Sequence, residues 1–259
     1  MTLLYCFSFV FGLCIGSFLT AVVYRLPRKI PFSTSRSKCP SCEKLIPWYE
    51  NVPLFSYLIL KGKCSKCSFK IPLQYPLLEL VVGLFCLFIT PTDLGQPQIL
   101  NYFFKTSIFA TFVAIFVIDL KHKLIPNVLN IYLAINLLAA VILNKTWVHW
   151  VGGASLGILF PLAVTYGFYL IKGQVGLGGG DIKLYGALGI FLGPAQVMYT
   201  IFLSCFVGAL VGGLLILFKV VDRKTPIPFG PFIIIVAFFQ IFFPDQYGWF
   251  MNSILNASL

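Results

Sequence analysis

The chain of 259 residues is 59% hydrophobic and only 10% charged, with a mean hydropathy of +0.92. An ordinary globular domain carries about 25% charged residues, so these values exclude a soluble globular enzyme and predict an all-α polytopic membrane protein. The net charge of +11, from 19 Lys and Arg against 8 Asp and Glu, would also suit a nucleic-acid-binding protein. The positions of the basic residues decide between these two explanations.

Eight apolar segments approach the length of about 20 residues that an α-helix needs to cross a bilayer. They are predicted at 3–24, 73–90, 100–119, 127–144, 150–171, 182–193, 196–218 and 228–244. The sixth segment is short and rich in glycine, which predicts a half-depth or tilted helix. The segments suggest a first helix at 1–24, a polar loop at 25–72, a helical bundle at 73–245 and a C-terminal tail at 246–259.

The basic residues are concentrated on alternate loops. Seventeen of the 19 follow this pattern: Arg25, Arg28, Lys29, Arg36, Lys38, Lys44, Lys61, Lys63, Lys66, Lys70, Lys121, Lys123, Lys172, Lys183, Lys219, Arg223 and Lys224. Basic loops stay on the cytoplasmic side of a membrane. The pattern therefore predicts eight spans with both termini outside the cytoplasm, and it explains the charge without a nucleic-acid partner. No basic residue precedes Arg25, so we do not expect a cleaved signal peptide.

Two Cys-x-x-Cys pairs lie in the polar loop between the first two spans, at Cys39–Cys42 and Cys64–Cys67. Two such pairs at this separation are a strong signature of a four-cysteine zinc site. The cytoplasm is reducing, and a short loop has little core of its own, so a structural zinc ion fits both conditions. The alternative is four free thiols or two redox pairs. The other cysteines (Cys6, Cys14, Cys86 and Cys205) lie singly in apolar segments, which indicates helix packing.

Three of the eight acidic residues lie in or beside apolar spans: Glu79, Asp119 and Asp181. Carboxylates within a membrane are costly and indicate function. The charge pattern puts Asp119 and Asp181 at the same cytoplasmic face. Simpler explanations are an interfacial ion pair of Asp119 with Lys121 or Lys123, and an N-cap role for Asp181.

Two neighbouring carboxyl groups can catalyse aspartic proteolysis because like charges at close range keep one group protonated. The ionised group accepts a proton from the attacking water, and the protonated group polarises the peptide carbonyl. The glycines before Asp181, at 176 and 178–180, would allow the backbone to approach an extended peptide.

Several motifs in order along the chain resemble the prepilin peptidases, or type IV leader peptidases, which are aspartyl proteases of the G-x-G-D group. They are Gly16-Ser-Phe-Leu19, Tyr24-Arg-Leu-Pro27, the two cysteine pairs, Trp48-Tyr-Glu-Asn-Val-Pro53, Tyr75-Pro-Leu-Leu-Glu79, Ile118-Asp119, Leu124-Ile-Pro126, Gly178-Gly-Gly-Asp-Ile-Lys183 and Pro226-Ile-Pro-Phe-Gly-Pro231. Three positions depart from the family pattern: Thr20 replaces Asn, Glu43 replaces Gly and Asn127 replaces Asp.

The resemblance implies an enzyme of a bacterial inner membrane with two activities. It would cut the basic leader from precursors of type IV pilins or type II secretion pseudopilins, and it would then N-methylate the new N-terminus with S-adenosylmethionine. The catalytic residues would be Asp119 and Asp181, and zinc would be bound by Cys39, Cys42, Cys64 and Cys67. Candidates for the methyl-transfer site are Glu79, Glu50 and Asn51, although Glu79 could equally make a helix-packing hydrogen bond.

Other function classes remain open from the residues alone. A transporter or channel could use Asp119 and Asp181 as proton or cation sites, but the outer halves of the spans are almost purely apolar. A non-enzymatic assembly protein could use the zinc loop for docking. A presenilin-like protease usually lacks such a loop.

Overall fold

The computed structural model describes residues 1–31, 37–93, 95–142, 144–174, 176–222 and 227–257, and within these residues it contains helices joined by loops, with no extended strand. They form two compact units, Met1–Ala114 and Ile115–Leu259. Four predicted features, Arg36, Arg223, Lys224 and Pro226, lie outside the described residues. The all-helical class that composition predicts is confirmed.

The first unit contains α1 (Thr2–Arg25), a 3-10 helix (Trp48–Asn51), α2 (Phe55–Ile59), α3 (Gln74–Phe88) and the first part of α4 (Gln96–His122). Helices α1 and α3 pack closely because glycines of α1 face the backbone of α3. A Cβ at Gly16 would lie 2.5 Å from the Glu79 Cα, and one at Gly12 would lie 2.8 Å from the Gly83 Cα. Small residues at these positions let two apolar helices approach within van der Waals contact.

The second unit contains the end of α4, then α5 (Asn127–Val141), α6 (Trp147–Lys172), α7 (Gly179–Leu217), α8 (Gly230–Phe242) and α9 (Pro244–Ala257). Glycines also bring α6 and α7 together. A Cβ at Gly153 would lie 2.0 Å from the Gly189 carbonyl oxygen, and one at Gly157 would lie 2.4 Å from the Tyr185 carbonyl oxygen. This contact holds the first half of α7, which begins with the glycines before Asp181.

Helix α7 is broken at Gly193, whose φ of 76° and ψ of 176° are not helical. Pro194 follows and has no backbone N–H to donate. The imidazole of His149 on α6 fills the space beside Gly193, with Nε2 3.0 Å from the Phe191 carbonyl oxygen. The two halves of α7 coincide with the sixth and seventh predicted segments, so the break lies between the two segments as the sequence indicates.

Within the described ranges, four helices are long and apolar enough to cross a membrane: α1, α4, α6 and α7. Helices α3, α5 and α8 are apolar but have only 15, 15 and 13 residues, which is shorter than the segments predicted there. Helix α3 ends before Pro91 and α8 ends before Pro244, because proline limits the conformation of the residue before it. The chain has the helices of a polytopic membrane protein, and residues 246–257 of the predicted tail belong to α9.

Candidate active site and metal centre

Asp119 lies one turn before the end of α4 and is only 4% exposed. Its Oδ2 accepts a hydrogen bond of 2.9 Å from the backbone N–H of Gly230, the first residue of α8. A helix N-terminus carries free N–H groups and a partial positive charge, so it favours a carboxylate at this place. A Cβ at Gly230 would lie 2.7 Å from the same oxygen. Glycine is therefore the residue that permits the contact.

Asp181 lies in the first turn of α7, and Gly178 is the N-cap residue of that helix. The N-cap role considered for Asp181 is therefore wrong, because the helix begins before it. The Asp181 carboxyl group is near enough to Asp119 to interact with it electrostatically. Ile125 lies between the elements that carry them: its Cβ is 3.1 Å from a Cβ built on Gly180, and its Cδ1 is 3.2 Å from one built on Gly230.

Helix α5 contacts the start of α7 through two asparagines that are not among the predicted site residues. Asn130 is 4% exposed, and its Nδ2 donates to the Gly180 carbonyl at 3.1 Å. Asn127 Oδ1 accepts a hydrogen bond of 2.9 Å from Lys183 Nζ. These pairs lie one helical turn apart on both helices, so they align α5 with the start of α7. The departure from Asp to Asn at 127 keeps an acceptor for Lys183.

The Oδ1 of Asn130 is buried and has no hydrogen-bond partner among the residues that the structure describes. A buried acceptor without a donor costs about 1–3 kcal/mol. A contribution to folding stability therefore does not by itself account for a buried asparagine at position 130, and its hydrogen bond to the Gly180 carbonyl suggests a role at the site. The sequence offers one signal, since Asn130 follows Asn127 by three residues on a largely apolar helix.

The four cysteines of the loop converge, with their sulfur atoms all within 4.8 Å of one another. The Sγ atoms of Cys39 and Cys67 are 3.7 Å apart, and those of Cys42 and Cys64 are 3.9 Å apart. A zinc ion with Zn–S distances of about 2.3 Å separates tetrahedral ligands by about 3.8 Å, whereas a disulfide is about 2.05 Å long. The geometry fits one four-cysteine metal site and does not fit disulfides.

The two cysteine pairs occupy equivalent turns. Cys39 N–H donates to the Lys44 carbonyl and Cys64 N–H to the Phe69 carbonyl, five residues later in each case. The residue after the second cysteine has a left-handed φ in both turns, 55° at Glu43 and 57° at Ser68. Such a φ favours glycine, so the departure from glycine at Glu43 noted above places a side chain in a strained turn.

Backbone N–H groups point at the sulfur atoms of the second turn. Hydrogen bonds from the backbone of Cys67 and Lys66 lower the pKa of the Cys64 thiol to about 6. The Phe69 backbone lowers the pKa of the Cys67 thiol. Because zinc binds the thiolate, the second turn favours the metal-binding form of Cys64 and Cys67.

A polar network joins the two turns to the 3-10 helix. Lys44 Nζ donates to Glu50 Oε1 at 2.8 Å and to Ser65 Oγ at 2.6 Å, and Ser65 Oγ lies 2.9 Å from Glu50 Oε1. The hydrogen bond from Lys44 lowers the pKa of Glu50, and the same bond raises the pKa of Lys44. Glu50 therefore links Lys44 of the first turn with Ser65 of the second, and neighbouring Asn51 is exposed.

Glu79 lies on α3, is 8% exposed, and accepts a hydrogen bond of 2.8 Å from the Leu54 backbone N–H through Oε2. Leu54 has a left-handed φ of 59°, which is costly for a branched side chain. The buried carboxylate thus fixes the junction between the 3-10 helix and α2. This is the packing role that the sequence allowed for Glu79.

Comparison with known proteins agrees with these features. The model of the bacterial peptidase A24 N-terminal domain matches residues 10–92, which include the four cysteines, and that of the type IV leader peptidase family matches residues 106–213, which include both aspartates. The prepilin leader peptidase/N-methyltransferase of Stutzerimonas stutzeri is 32% identical, covering 92% of this chain and 90% of that protein. The chain belongs to the type IV leader peptidase family.

Other members of the type IV leader peptidase family have similar sequence identity to this chain. The prepilin leader peptidase/N-methyltransferase of Vibrio cholerae is 35% identical over 91% of this chain and 96% of that protein. That of Bacillus subtilis is 33% identical over 86% of this chain and 88% of that protein. No solved structure matches the chain. The family predicted from the motifs is confirmed.

Proposed function

We propose that this chain is a membrane-embedded aspartic endopeptidase that removes the basic leader of type IV prepilin-like precursors and N-methylates the new N-terminal residue. Family membership over nearly the whole chain is the observation that carries this proposal. The relatives are named for both activities. The convergence of Asp119 and Asp181 supplies a chemical basis for the first of them.

The two aspartates are the proposed catalytic pair. The Gly230 amide donates to Asp119, and the Asn130 side chain fixes the Gly180 carbonyl just before Asp181. With one shared proton, one carboxylate accepts a proton from water as the water attacks the scissile carbonyl. The other carboxyl group donates to the carbonyl oxygen, and a proton is then passed to the leaving amine. Both groups act as a pair.

The proposed role of the cysteine cluster is structural. Cys39, Cys42, Cys64 and Cys67 would bind one zinc ion and leave no open coordination position. The ion would join two turns that are otherwise connected mainly by the Lys44–Glu50–Ser65 network. If this is correct, Cys42→Ser should lose the metal and destabilise the loop. If the four cysteines are free thiols, the wild type should contain no stoichiometric metal and Cys42→Ser should fold as the wild type does.

The proposed topology has eight spans in a bacterial inner (plasma) membrane, with the zinc loop and both aspartates at the cytoplasmic face and both termini outside. The distribution of Lys and Arg supports this arrangement. A prepilin has a basic leader that stays in the cytoplasm for the same reason. Substrate and active site would then meet on one side of the membrane.

Methyl transfer would take its methyl group from S-adenosylmethionine, and Glu79, Glu50 and Asn51 are the residues we propose near that site. A carboxylate can accept the proton that the N-terminal amine loses. Glu50 and Asn51 lie in the loop, and Glu79 is tied to it through Leu54. Glu79→Gln should lose methylation while cleavage persists. If Glu79→Gln cleaves and methylates at the wild-type rates, Glu79 takes no part in methyl transfer.

Cleavage of a purified prepilin in detergent tests the main proposal. Wild type should cleave, and Asp119→Asn and Asp181→Asn should each lose cleavage while they elute from size exclusion as wild type does. Retention of cleavage by either variant would contradict the catalytic pair. A proton or cation flux that needs Asp119 and Asp181, without any cleavage, would instead support the transporter alternative.

A further inference from the structure

The loop between α1 and α3 exposes a cluster of large apolar side chains. Trp48 is 80% exposed and Ile59 is 77% exposed, and Tyr49, Phe55 and Leu58 are also exposed. We name these five residues the aromatic patch. Exposed apolar side chains that are gathered in one segment indicate a binding surface.

The patch belongs to one folded piece of chain. Ser56 Oγ accepts from the Val52 backbone N–H at 2.9 Å and donates to the Tyr49 carbonyl at 2.9 Å. These bonds tie the 3-10 helix to α2, and Ser56 itself is buried. Phe55, Leu58 and Ile59 are spaced by three and four residues, so they share one side of α2, away from the buried serine.

Glu79 fixes the depth of this piece relative to the helices that enter the membrane. It lies five residues after the start of α3, about 7 Å along the helix at 1.5 Å per residue. It packs against Gly16, which precedes the end of α1 by nine residues, or about 13 Å. Since the Leu54 amide contacts the end of the Glu79 side chain, Leu54 lies within one glutamate side-chain length of the part of α3 that packs against Gly16.

The chemistry of the segment fits the boundary of a bilayer. Trp and Tyr are enriched at the level of lipid headgroups. Lys61 and Lys63 follow the patch directly, and both are exposed. Exposed basic residues near an anionic membrane surface are attracted to its phosphate groups. The apolar side chains of the patch therefore suit the acyl chains of the bilayer, and Lys61 and Lys63 suit the phosphate groups at its surface.

We propose that the aromatic patch inserts into the cytoplasmic leaflet, with anionic lipid as its partner, and so holds the zinc loop against the membrane surface. This inference rests on the proposed topology. The zinc loop would then be fixed at the membrane by Glu79 on one side and by lipid on the other. Its position would place the loop where a membrane-anchored precursor emerges.

The test uses the full chain in vesicles of phosphatidylcholine and phosphatidylglycerol, with Trp48 as the probe. The other three tryptophans, Trp147, Trp150 and Trp249, are changed to Phe, and cleavage of a prepilin verifies that this variant is folded. Lipids brominated high on the acyl chain should remove most of the Trp48 emission, and aqueous acrylamide should remove little. Lys61→Gln with Lys63→Gln should reduce the lipid quenching.

The matched control moves the probe to the zinc turn, as Ser41→Trp with Trp48→Phe, since Ser41 is exposed within the first cysteine pair. Acrylamide should quench this probe and brominated lipid should not. If acrylamide quenches Trp48 as strongly as it quenches the control, lipid insertion is excluded. Protection of Trp48 only after prepilin is added would also overturn the proposal and make the patch a substrate surface. Cleavage in the same samples reports on the enzymatic function separately.

Discussion

At the residue scale, the position of each aspartate depends on one neighbouring residue: a glycine beside Asp119 and an asparagine beside the peptide that precedes Asp181. Gly230 places a backbone N–H against Asp119, and Asn130 holds the peptide unit that joins Gly180 to Asp181. Neither contact involves a charged partner. The two carboxyl groups are thus held by the backbone around them, and small changes there should alter catalysis more than folding.

Gly230→Ala should reduce prepilin cleavage on the order of 100-fold, because its Cβ would push the Asp119 carboxylate aside and displacements of about 1 Å have effects of this size. The melting temperature should change little, since the short Asp119 side chain can move. Gly213→Ala on α7 is the control, because a Cβ there meets nothing within 4 Å. Normal cleavage by Gly230→Ala would show that the Asp119 position is not critical.

Asn130→Leu should reduce cleavage about tenfold and leave the free energy of unfolding within about 1 kcal/mol of wild type. The variant loses the hydrogen bond to Gly180, but it also removes a buried oxygen that has no partner in the described chain, and these effects offset each other. Asn136→Leu, on the same helix but only half-buried and bonded to its own helix at Tyr132, is the control. A large loss of stability without loss of kcat would assign Asn130 a packing role only.

Glu43→Gly should slow the loss of zinc to a chelator, because a left-handed φ costs a non-glycine residue about 1–2 kcal/mol. Glu43→Val should hasten it, since a β-branched side chain suits this conformation least. Ser41→Gly, in the same turn without a left-handed φ, should not slow release. Equal rates for all variants would mean that the strain at Glu43 does not limit metal binding.

At the scale of the elements, close packing of glycines on α6 and α7 holds the first half of α7, whose first turn carries Asp181. The Gly153–Gly189 contact joins backbone to backbone, so no side chain can rotate away to make room. The break at Gly193 ends this close contact, and His149 covers it. A tightly packed half-helix thus extends from the break to the glycine loop at Asp181.

Gly153→Ala should lower the melting temperature in detergent markedly, because a Cβ would lie 2.0 Å from a backbone oxygen and overpacking typically costs about 1–3 kcal/mol. Gly167→Ala, on the same helix with open space around it, should be neutral or stabilising since alanine favours the helix by about 1 kcal/mol. Comparable melting temperatures for both variants would contradict the close α6–α7 packing.

At the scale of the whole molecule, membrane topology follows from the basic residues that surround each span. Helix α6 offers the simplest test, since Lys145 precedes it and Lys172 ends it. Alkaline phosphatase, which is active only outside the cytoplasm, should be active when fused after Lys145 and inactive when fused after Lys172. Fluorescent protein fusions should give the reverse pattern. Activity at both positions would contradict the proposed orientation.

The helical class, the places of the helices and the grouping of cysteines could be predicted because they depend on local composition. A bilayer requires long apolar helices, and a zinc knuckle needs only a few neighbouring residues. The ends of α3, α5 and α8 were less predictable, since helix ends depend on the turns that follow. Asn130 cannot be assigned a role from the sequence, because the spacing of asparagines on a largely apolar helix does not reveal which distant group they contact.

The sequence by itself therefore determined the membrane class, the family, the alternation of basic loops and the residue types of both candidate sites. Only the tertiary structure decided that Gly230 meets Asp119 across 111 residues of sequence, and that Glu50 joins the two cysteine turns. The reason is physical. Composition and spacing report local preferences, whereas a hydrogen bond from a backbone amide depends on where a distant helix begins, and no side-chain pattern encodes that position.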